Sequence, residues 1–276
     1  MVKNFRIKQS IAYWCLNATV WNWDVEKICA AATKLRCPAL ELVPFELWPV
    51  ARKHGLQNAL AHNGMPDPVF AKGLNNPRYR DEVIERTKES IDQCADFGVP
   101  SVIAFTGYKW TDADDPTSGE ISLAEGAAST EKGLTELAHY GERKGVTIVL
   151  EQLNTRDDSH PMKGHPGYQG DDLDYCAEIV RRVNSPRVKL LFDIYHVAIM
   201  NGDVIRRLHQ YRDWIGHVHT AGVPGRGELG DRQEINYPAV MRALLEIGYQ
   251  GYVGQEFIPT KDPAEGLAEA VAACDV

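Results

Sequence analysis

The strongest constraint on how this chain folds is an even alternation of short β-rich runs with longer amphipathic segments. In one such segment, Val83, Thr87, Ile91 and Cys94 recur at the spacing of one helix face. Runs of strand length, with Gly or Pro at or near their starts, stand at 101–105, 146–150, 188–192, 215–219 and 251–255. Because these runs are mostly apolar along their length, they indicate parallel strands that are covered on both faces.

The first hundred residues show the same alternation less clearly. A last helix over 263–273 completes a set of eight strands and eight helices, or about 34 residues per repeat. Gly98, Gly145 and Gly248 stand where helices should end. The further predicted elements are strands around 7–13, 39–43 and 56–62, and helices around 24–35 and 44–54.

The even spacing predicts an α/β fold, a single closed (β/α)8 TIM barrel that forms one domain over residues 1–276. No Ser/Gly-rich or Pro-rich linker interrupts the pattern. An open doubly wound sheet is the structural alternative. With 44% apolar and 25% charged residues and no long apolar run, the composition is that of a globular chain without a membrane span.

The net charge and the cysteine pattern restrict which binding partners and which cellular compartment we expect. The net charge of −8 has the wrong sign for a protein that binds nucleic acid. Six scattered cysteines without a C-x-x-C pair predict neither a zinc knuckle nor a disulfide framework. The N-terminal segment has no signal-peptide core. We therefore expect a cytoplasmic protein with reduced thiols.

Candidate metal ligands stand at the ends of the last four predicted strands. Catalytic groups of such barrels gather at the C-terminal strand ends. Three clustered carboxylates repel one another unless a cation lies between them. An oxygen-rich set with one imidazole favours Mg²⁺ or Mn²⁺, with Co²⁺ or Zn²⁺ as alternatives. The four residues are Glu151, Asp193, His219 and Glu256, and the predicted inward layer beneath them is Val149, Leu191, His217 and Gly254.

Two residues near these strand ends are candidates for contacting a substrate. His196, at a predicted helix start, can donate to a substrate oxygen, with a helix-capping or surface histidine as the alternative. Arg226 can clamp a carboxylate or hydroxyl group, or face solvent from its loop. We expect both side chains to border a solvent-lined cleft. Residues 225–230 match G-x-G-x-x-G by letter, but no helix follows directly, so no nucleotide cofactor is expected.

Weaker candidates lie on the other strand ends and loops. His62 ends predicted strand three and Glu41 nearly ends strand two, so both are candidates for substrate contact. Trp110, like Trp14 and Trp21, lies near the barrel mouth, where it forms either a pocket wall or ordinary packing. His217 is expected to be packed behind the metal ligands. The long loops are 106–122, 152–170 and 220–235, of which the second is either a mobile lid or an irregular surface loop.

Several short sequence motifs in the C-terminal third resemble those of a known family. They are Phe-Asp-Ile-Tyr-His at 192–196, Gly-His-Val-His-Thr-Ala at 216–221, Val-Pro-Gly-Arg at 223–226, Glu-Ile-Asn-Tyr-Pro at 234–238, and Gly-Tyr-Gln-Gly-Tyr-Val-Gly-Gln-Glu at 248–256. Together they resemble the hydroxypyruvate isomerase branch of the xylose-isomerase-like barrels.

The resemblance implies a divalent-metal-dependent isomerase or epimerase that acts on a small sugar or hydroxy keto acid through a cis-enediolate. The residues matching Glu151, Asp193, His219 and Glu256 would bind the metal. Those matching Glu151 and Glu256 would also shuttle protons, and those matching His196 and Arg226 would contact the substrate.

The resemblance leaves several alternatives open. Hydroxypyruvate isomerases usually carry Gln where this chain has His219, whereas the related ketose 3-epimerases carry His. The long Trp-containing loops also favour a larger sugar. A ketose 3-epimerase and a 3-keto-sugar lyase or dehydratase are therefore alternatives, as are an apurinic-site endonuclease and a non-catalytic sugar-binding barrel. A homo-oligomer is compatible with each of these.

Overall fold

The computed structural model describes residues 1–276. Its strands are β1 Lys8–Ala12, β2 Ala39–Glu41, β3 Gln57–Asn58, β4 Ser101–Ala104, β5 Trp110–Asp112, β6 Asp115–Glu120, β7 Thr147–Glu151, β8 Val188–Asp193, β9 Ile215–Thr220 and β10 Tyr252–Gln255. Its helices are α1 Trp14–Asn17, α2 Val25–Leu35, α3 Trp48–Lys53, α4 Pro77–Phe97, α5 Leu123–Lys144, α6 Leu173–Val183, α7 Ile194–Met200, α8 Val204–Tyr211, α9 Tyr237–Glu246 and α10 Pro263–Cys274, with a 3₁₀ turn at Phe45–Leu47.

Eight of the strands form one sheet, in the order β3-β2-β1-β10-β9-β8-β7-β4. Neighbouring strands run parallel, as the helical connections between them require. Just beyond β3, Ala61 pairs in parallel with Val102 of β4, which joins the two ends of that order. The prediction of an α/β fold of the TIM-barrel type is confirmed.

The chain forms two compact units. The first unit comprises residues 1–60, 202–213 and 217–276, and the second comprises residues 61–201 and 214–216. The expectation of a single domain over residues 1–276 stays a prediction. None of the helices combines the length and the apolar character that a membrane crossing requires.

Local sequence sets the ends of the long helices in the second unit. Helix α4 begins at Asn76, whose side chain caps it, and ends at Gly98 with φ 75°. Helix α5 begins with a capping box between Ser122 and Glu125 and ends at Gly145 with φ 75°. Glycine adopts this left-handed conformation at little cost. Both predicted glycine stops are therefore confirmed.

The structure differs from the sequence prediction in three places. The predicted loop 106–122 contains the antiparallel hairpin β5–β6, whose largely exposed polar residues carry no apolar signal. The predicted helix 44–54 is a 3₁₀ turn followed by α3, because Pro49 fits only the first turn of a helix. The predicted strand 56–62 is only two residues long, followed by the bridge at Ala61.

All six cysteines are buried thiols outside any disulfide bond. Burial raises the pKa of the Cys37 and Cys94 thiols to about 12. Burial also raises the pKa of Cys29, to about 11. These thiols are therefore protonated near neutral pH, so they pack as small apolar side chains.

Candidate functional site

In the second unit, two of the predicted ligands, Glu151 and Asp193, end the neighbouring strands β7 and β8. Glu151 stands opposite Leu191, two residues before Asp193, so both carboxylates project from the same face of the sheet. They are 3% and 1% exposed, and one ligand atom of each lies within 4.8 Å of the other. Two buried carboxylates this close repel each other, and a cation between them would relieve that repulsion.

Asp193 is oriented by the helix that follows it. Its Oδ1 accepts hydrogen bonds from the backbone N–H groups of Tyr195, at 2.7 Å, and His196, at 3.2 Å. The carboxylate thus caps α7 through one oxygen. The other oxygen, Oδ2, lies 3.6 Å from Nε2 of His196. The cap therefore fixes the carboxylate through Oδ1, with Oδ2 on the side of the His196 ring.

The protonation of the His196 ring is set by a main-chain donor. The backbone N–H of Asn154 donates to Nδ1 at 3.0 Å, and the Asn154 amide nitrogen lies 2.7 Å from the same atom. Because a backbone N–H can only donate, Nδ1 carries no proton and a neutral ring has its proton on Nε2. His196 is fully buried, so the expectation that it borders a solvent-lined cleft is wrong.

Asn154 also anchors the loop that follows β7. Its carbonyl accepts from the backbone N–H of His165 at 2.7 Å, and its side chain donates to the carbonyl of Lys163 at 2.7 Å. Its Oδ1 accepts from the backbone N–H of Asp157 at 3.1 Å. Asn154 therefore links the middle of this loop to the His196 ring. The expectation that this loop is a mobile lid stays a prediction.

Trp110 and His62, two candidates for substrate contact, also lie in the second unit. Trp110 lies on β5, with its ring centroid 4.9 Å from that of Tyr108. Its indole fills the space beside Gly167 that a Cβ would occupy. Trp110 therefore packs against the loop after β7. His62 is half-buried and directly follows Ala61, the residue that pairs with β4.

In the first unit, His219 lies between two buried carboxylates. Its Nδ1 is 2.9 Å from Oε2 of Glu256, and its Nε2 is 2.8 Å from Oε1 of Glu41. Oε1 of Glu256 accepts from the indole N–H of Trp14 at 2.9 Å. Burial alone would raise the pKa of Glu256, but the charges of His219 and Arg226 outweigh burial and lower it. Glu256 is therefore held as an ionised carboxylate.

Arg226 is buried against Glu256 instead of standing free on its loop. Its Nη2 donates to Oε2 of Glu256 at 2.5 Å, and its guanidinium carbon lies 5.2 Å from the centroid of the Trp14 ring. Arg226 is 3% exposed, so the expectation of a solvent-lined position is wrong here too. Its carbonyl accepts from the backbone N–H of Ile258 at 2.7 Å, which joins the segments after β9 and β10.

Glu41 is the second carboxylate beside His219. It is fully buried, its Oε2 lies 3.0 Å from Nε2 of His217, and it also accepts from the hydroxyl of Ser10. Burial raises the pKa of Glu41, but the neighbouring His217 and His219 outweigh burial and lower it well below its usual range. Its carboxylate occupies the space where a Cβ on Gly254 would stand. The predicted packed position of His217 corresponds to this contact.

Sequence reasoning missed several residues of this region. The sequence predicts Trp14 as a pocket wall or as ordinary packing, whereas its indole N–H donates to Glu256, 242 positions away in the chain. Tyr168 donates to the carbonyl of Glu151 at 2.9 Å and accepts from the backbone N–H of Thr106. Asn154 was also overlooked. A single Trp, Tyr or Asn whose hydrogen-bond partner is distant in the chain produces no periodic pattern and no motif in the sequence.

Comparison with known proteins agrees with this architecture. A 2-oxo-tetronate isomerase of Cupriavidus necator is 35% identical over 136 residues, covering 49% of each chain. The hydroxypyruvate isomerase of Escherichia coli is 28% identical over 140 residues, covering 51% of each chain. The matches therefore span about half the length of these relatives.

Solved structures resemble nearly the whole chain. The crystal structure of an AP endonuclease, family 2, from Brucella melitensis has a TM-score of 0.78 at 24% identity, covering 95% of this chain and 97% of that one. A D-psicose 3-epimerase from Clostridium cellulolyticum H10 has a TM-score of 0.74 at 20% identity, covering 98% and 97%. At these identities the likeness shows a shared fold. Residues 39–275 also match the xylose isomerase-like TIM barrels as a sequence family, and the chain belongs to that family.

Proposed function

We propose that this protein is a metal-dependent isomerase or epimerase of a small α-hydroxy carbonyl compound. The observation that carries the proposal is that each unit buries a pair of ligand-type side chains at the ends of neighbouring strands. The four side chains, whose ligand atoms could hold a metal ion, are Glu151, Asp193, His219 and Glu256. Support also comes from the relatives named isomerases, each matched over about half of its length.

The chemistry of the donor set fits a hard divalent cation. Three carboxylates and one imidazole leave room for water or substrate oxygens, and they favour Mg²⁺ or Mn²⁺ over soft metals. When bound, such an ion would polarise a carbonyl oxygen and stabilise negative charge on it. The apurinic-site endonuclease alternative is less well supported, because it needs several zinc ions and a basic groove in a chain of net charge −8.

The chain's own groups supply the proton transfers. Glu256, kept ionised by Arg226 and His219, accepts the proton from the carbon that lies between the carbonyl and the hydroxyl. The electron pair of that C–H bond forms the carbon–carbon double bond of the enediolate, and the π pair of the carbonyl moves to its oxygen. Glu151 enters the step protonated and returns its proton to a carbon of the enediolate, while the Nε2–H of His196 donates to a substrate oxygen. Exchange with solvent then removes the proton from Glu256 and restores the one on Glu151. Each glutamate thus combines a ligand role with a proton-transfer role.

Two substrate classes remain candidates under this proposal. A hydroxy keto acid is favoured by the relatives, which are named for 2-oxo-tetronate and hydroxypyruvate. A ketose is favoured by His219, because ketose 3-epimerases resemble this chain at that position. Arg226, His62 and Trp110 are proposed to border the substrate. Assays with hydroxypyruvate, 2-oxo-tetronate and ketohexoses distinguish the two classes.

Metal removal tests the proposed function directly. Prolonged chelation should abolish turnover, and Mg²⁺, Mn²⁺ or Co²⁺ should restore it. Asp193→Ala and His219→Ala should each lower the metal content, measured by elemental analysis after gel filtration. Glu228→Gln is the matched control, because that carboxylate bonds to Thr260 and is no ligand candidate. Full turnover by rigorously metal-free enzyme would contradict the proposal.

A further inference from the structure

We infer that Glu41 is a positioning residue that fixes the His219 ring so that Nδ1 is the nitrogen presented to the metal ion. This inference rests on the proposed function, because it concerns how one of the proposed ligands meets its ion. Outer carboxylates of this kind orient a ligating histidine through its second ring nitrogen. The assignment gives Glu41 a role other than the substrate contact considered from the sequence.

The first step is which carboxylate each ring nitrogen of His219 faces. Nε2 lies 2.8 Å from Oε1 of Glu41, and Nδ1 lies 2.9 Å from Oε2 of Glu256. Of these two carboxylates, only Glu256 is one of the four proposed ligands, so Nδ1 is the nitrogen on the metal side of the ring. An ion bound at Nδ1 would replace a proton there, and the remaining ring proton on Nε2 would then point to Glu41.

The second step is how the carboxylate of Glu41 is itself held. Oε2 accepts from Nε2 of His217 at 3.0 Å and from the hydroxyl of Ser10. Two strands away in the sheet, on β10, a Cβ at Gly254 would overlap the carboxylate. Gly254 has no positive φ, so the backbone does not require glycine there. The missing side chain provides the space through which Glu41 reaches His219.

The same three side chains could instead ligate an ion of their own, because single ligand atoms of Glu41, His217 and His219 lie within 4.8 Å of one another. Two observations favour the positioning role. The nitrogens that would have to bind the ion are at hydrogen-bonding distance from the carboxylate. The Ser10 hydroxyl also occupies one of the carboxylate oxygens. A second ion would have to break this set of contacts.

Histidine NMR on the wild-type protein tests the inference without any substitution. The protein is labelled with ¹⁵N-histidine and loaded with diamagnetic Zn²⁺. We expect the His219 signals to show a protonated Nε2 and a metal-bound Nδ1. A metal-bound Nε2 would overturn the inference. Two bound ions per chain would overturn it as well, because the second ion would identify Glu41, His217 and His219 as a metal site of their own.

Variants then test whether Glu41 matters for the ion. Glu41→Gln should weaken Mn²⁺ or Co²⁺ binding by about 10- to 100-fold, the usual effect of removing an outer partner of a metal ligand, measured by competition with a chelator. Gly254→Ala should act in the same direction, because it displaces Glu41 while all four proposed ligands remain. Ser10→Ala is the matched control and should have a smaller effect, because Glu41 keeps its charge and both histidines.

The outcomes separate this inference from the proposed function. If the wild type binds no ion and turns over after chelation, the proposed function fails. If the wild type binds one ion while folded Glu41→Gln and Gly254→Ala bind it equally well, only the role of Glu41 fails. Unfolding of Glu41→Gln leaves the wild-type NMR measurement to decide.

Discussion

The two units hold their candidate ligands by different means. In the second unit the main chain holds the side chains, because backbone N–H groups donate hydrogen bonds to Asp193 and to the ring of His196. In the first unit side chains hold one another, because Glu256 is fixed by Trp14, Arg226 and His219. A main-chain contact survives most substitutions nearby, whereas each member of a side-chain network depends on the next. Substitutions should therefore have local effects in the second unit and spreading effects in the first.

The largest effect is expected when either proposed proton carrier is replaced. Glu151→Gln and Glu256→Gln should each reduce turnover by about 10²-fold or more, the scale of general acid–base catalysis. Only Glu256→Gln should also destabilise the fold measurably, because it removes the charge that Arg226 faces. Steady-state kinetics and urea unfolding measure the two effects.

Deuterated water provides the check on these roles. The wild type should incorporate solvent deuterium at the reacting carbon of the substrate. Complete transfer of deuterium from one substrate carbon to the other, without any solvent exchange, would indicate a hydride shift. That result would overturn the roles of both glutamates.

Arg226→Ala should give the next largest effect. It leaves the Glu256 carboxylate buried without its guanidinium, which costs about 3–5 kcal/mol of folding stability in comparable pairs. Urea unfolding of the metal-free protein measures the loss. Arg206→Ala is the matched control in the same unit, because the Arg206–Asp203 pair is largely exposed and should contribute less than about 1 kcal/mol. Equal losses in the two variants would show that no coupled network exists.

Asn154→Ala should have a smaller and more local effect. The variant loses the side-chain bonds to Lys163 and Asp157 but keeps the backbone N–H that faces His196. Two such bonds correspond to about 1–3 kcal/mol of unfolding free energy. The ¹⁵N spectrum of His196 should still show an unprotonated Nδ1. A proton on Nδ1 in this variant would mean that the main chain does not set the ring.

Trp14→Phe should give the smallest effect. It removes one N–H donor to Glu256 while keeping an aromatic ring beside Arg226. A hydrogen bond to a charged group contributes about 1.5 kcal/mol, so kcat/KM should fall about tenfold. Trp21→Phe is the control, because its indole N–H donates to the carbonyl of Pro259 instead of a carboxylate. If both variants behave alike, the indole donor of Trp14 does not orient Glu256.

The fold was predictable because its signal is periodic and repeated. Buried strands and helix stops such as Gly98 and Gly145 recur along the chain, so errors in single elements do not change the architecture. The hairpin β5–β6 was missed because its polar, exposed residues bury no apolar face. The break before α3 was missed because the apolar pattern around Pro49 continues through it.

Only the site residues at the strand ends could be predicted from the sequence. Glu151 and Asp193 follow apolar runs directly, so their positions could be recognised from the sequence. The partners of Glu256 could not, because Trp14 and Arg226 meet it through pairings that depend on the folded sheet. The role of Gly254 was hidden as well, because the reason for that glycine is the carboxylate of a residue on another strand.

The buried cysteines can report when the structure around them opens. Protonated and enclosed thiols react slowly with alkylating reagents, so labelling must wait until the surrounding structure opens. Cys94 and Cys176 belong to the second unit, and Cys15, Cys29, Cys37 and Cys274 belong to the first. Alkylation followed by peptide mapping would therefore time the opening of each unit separately in the unmodified chain.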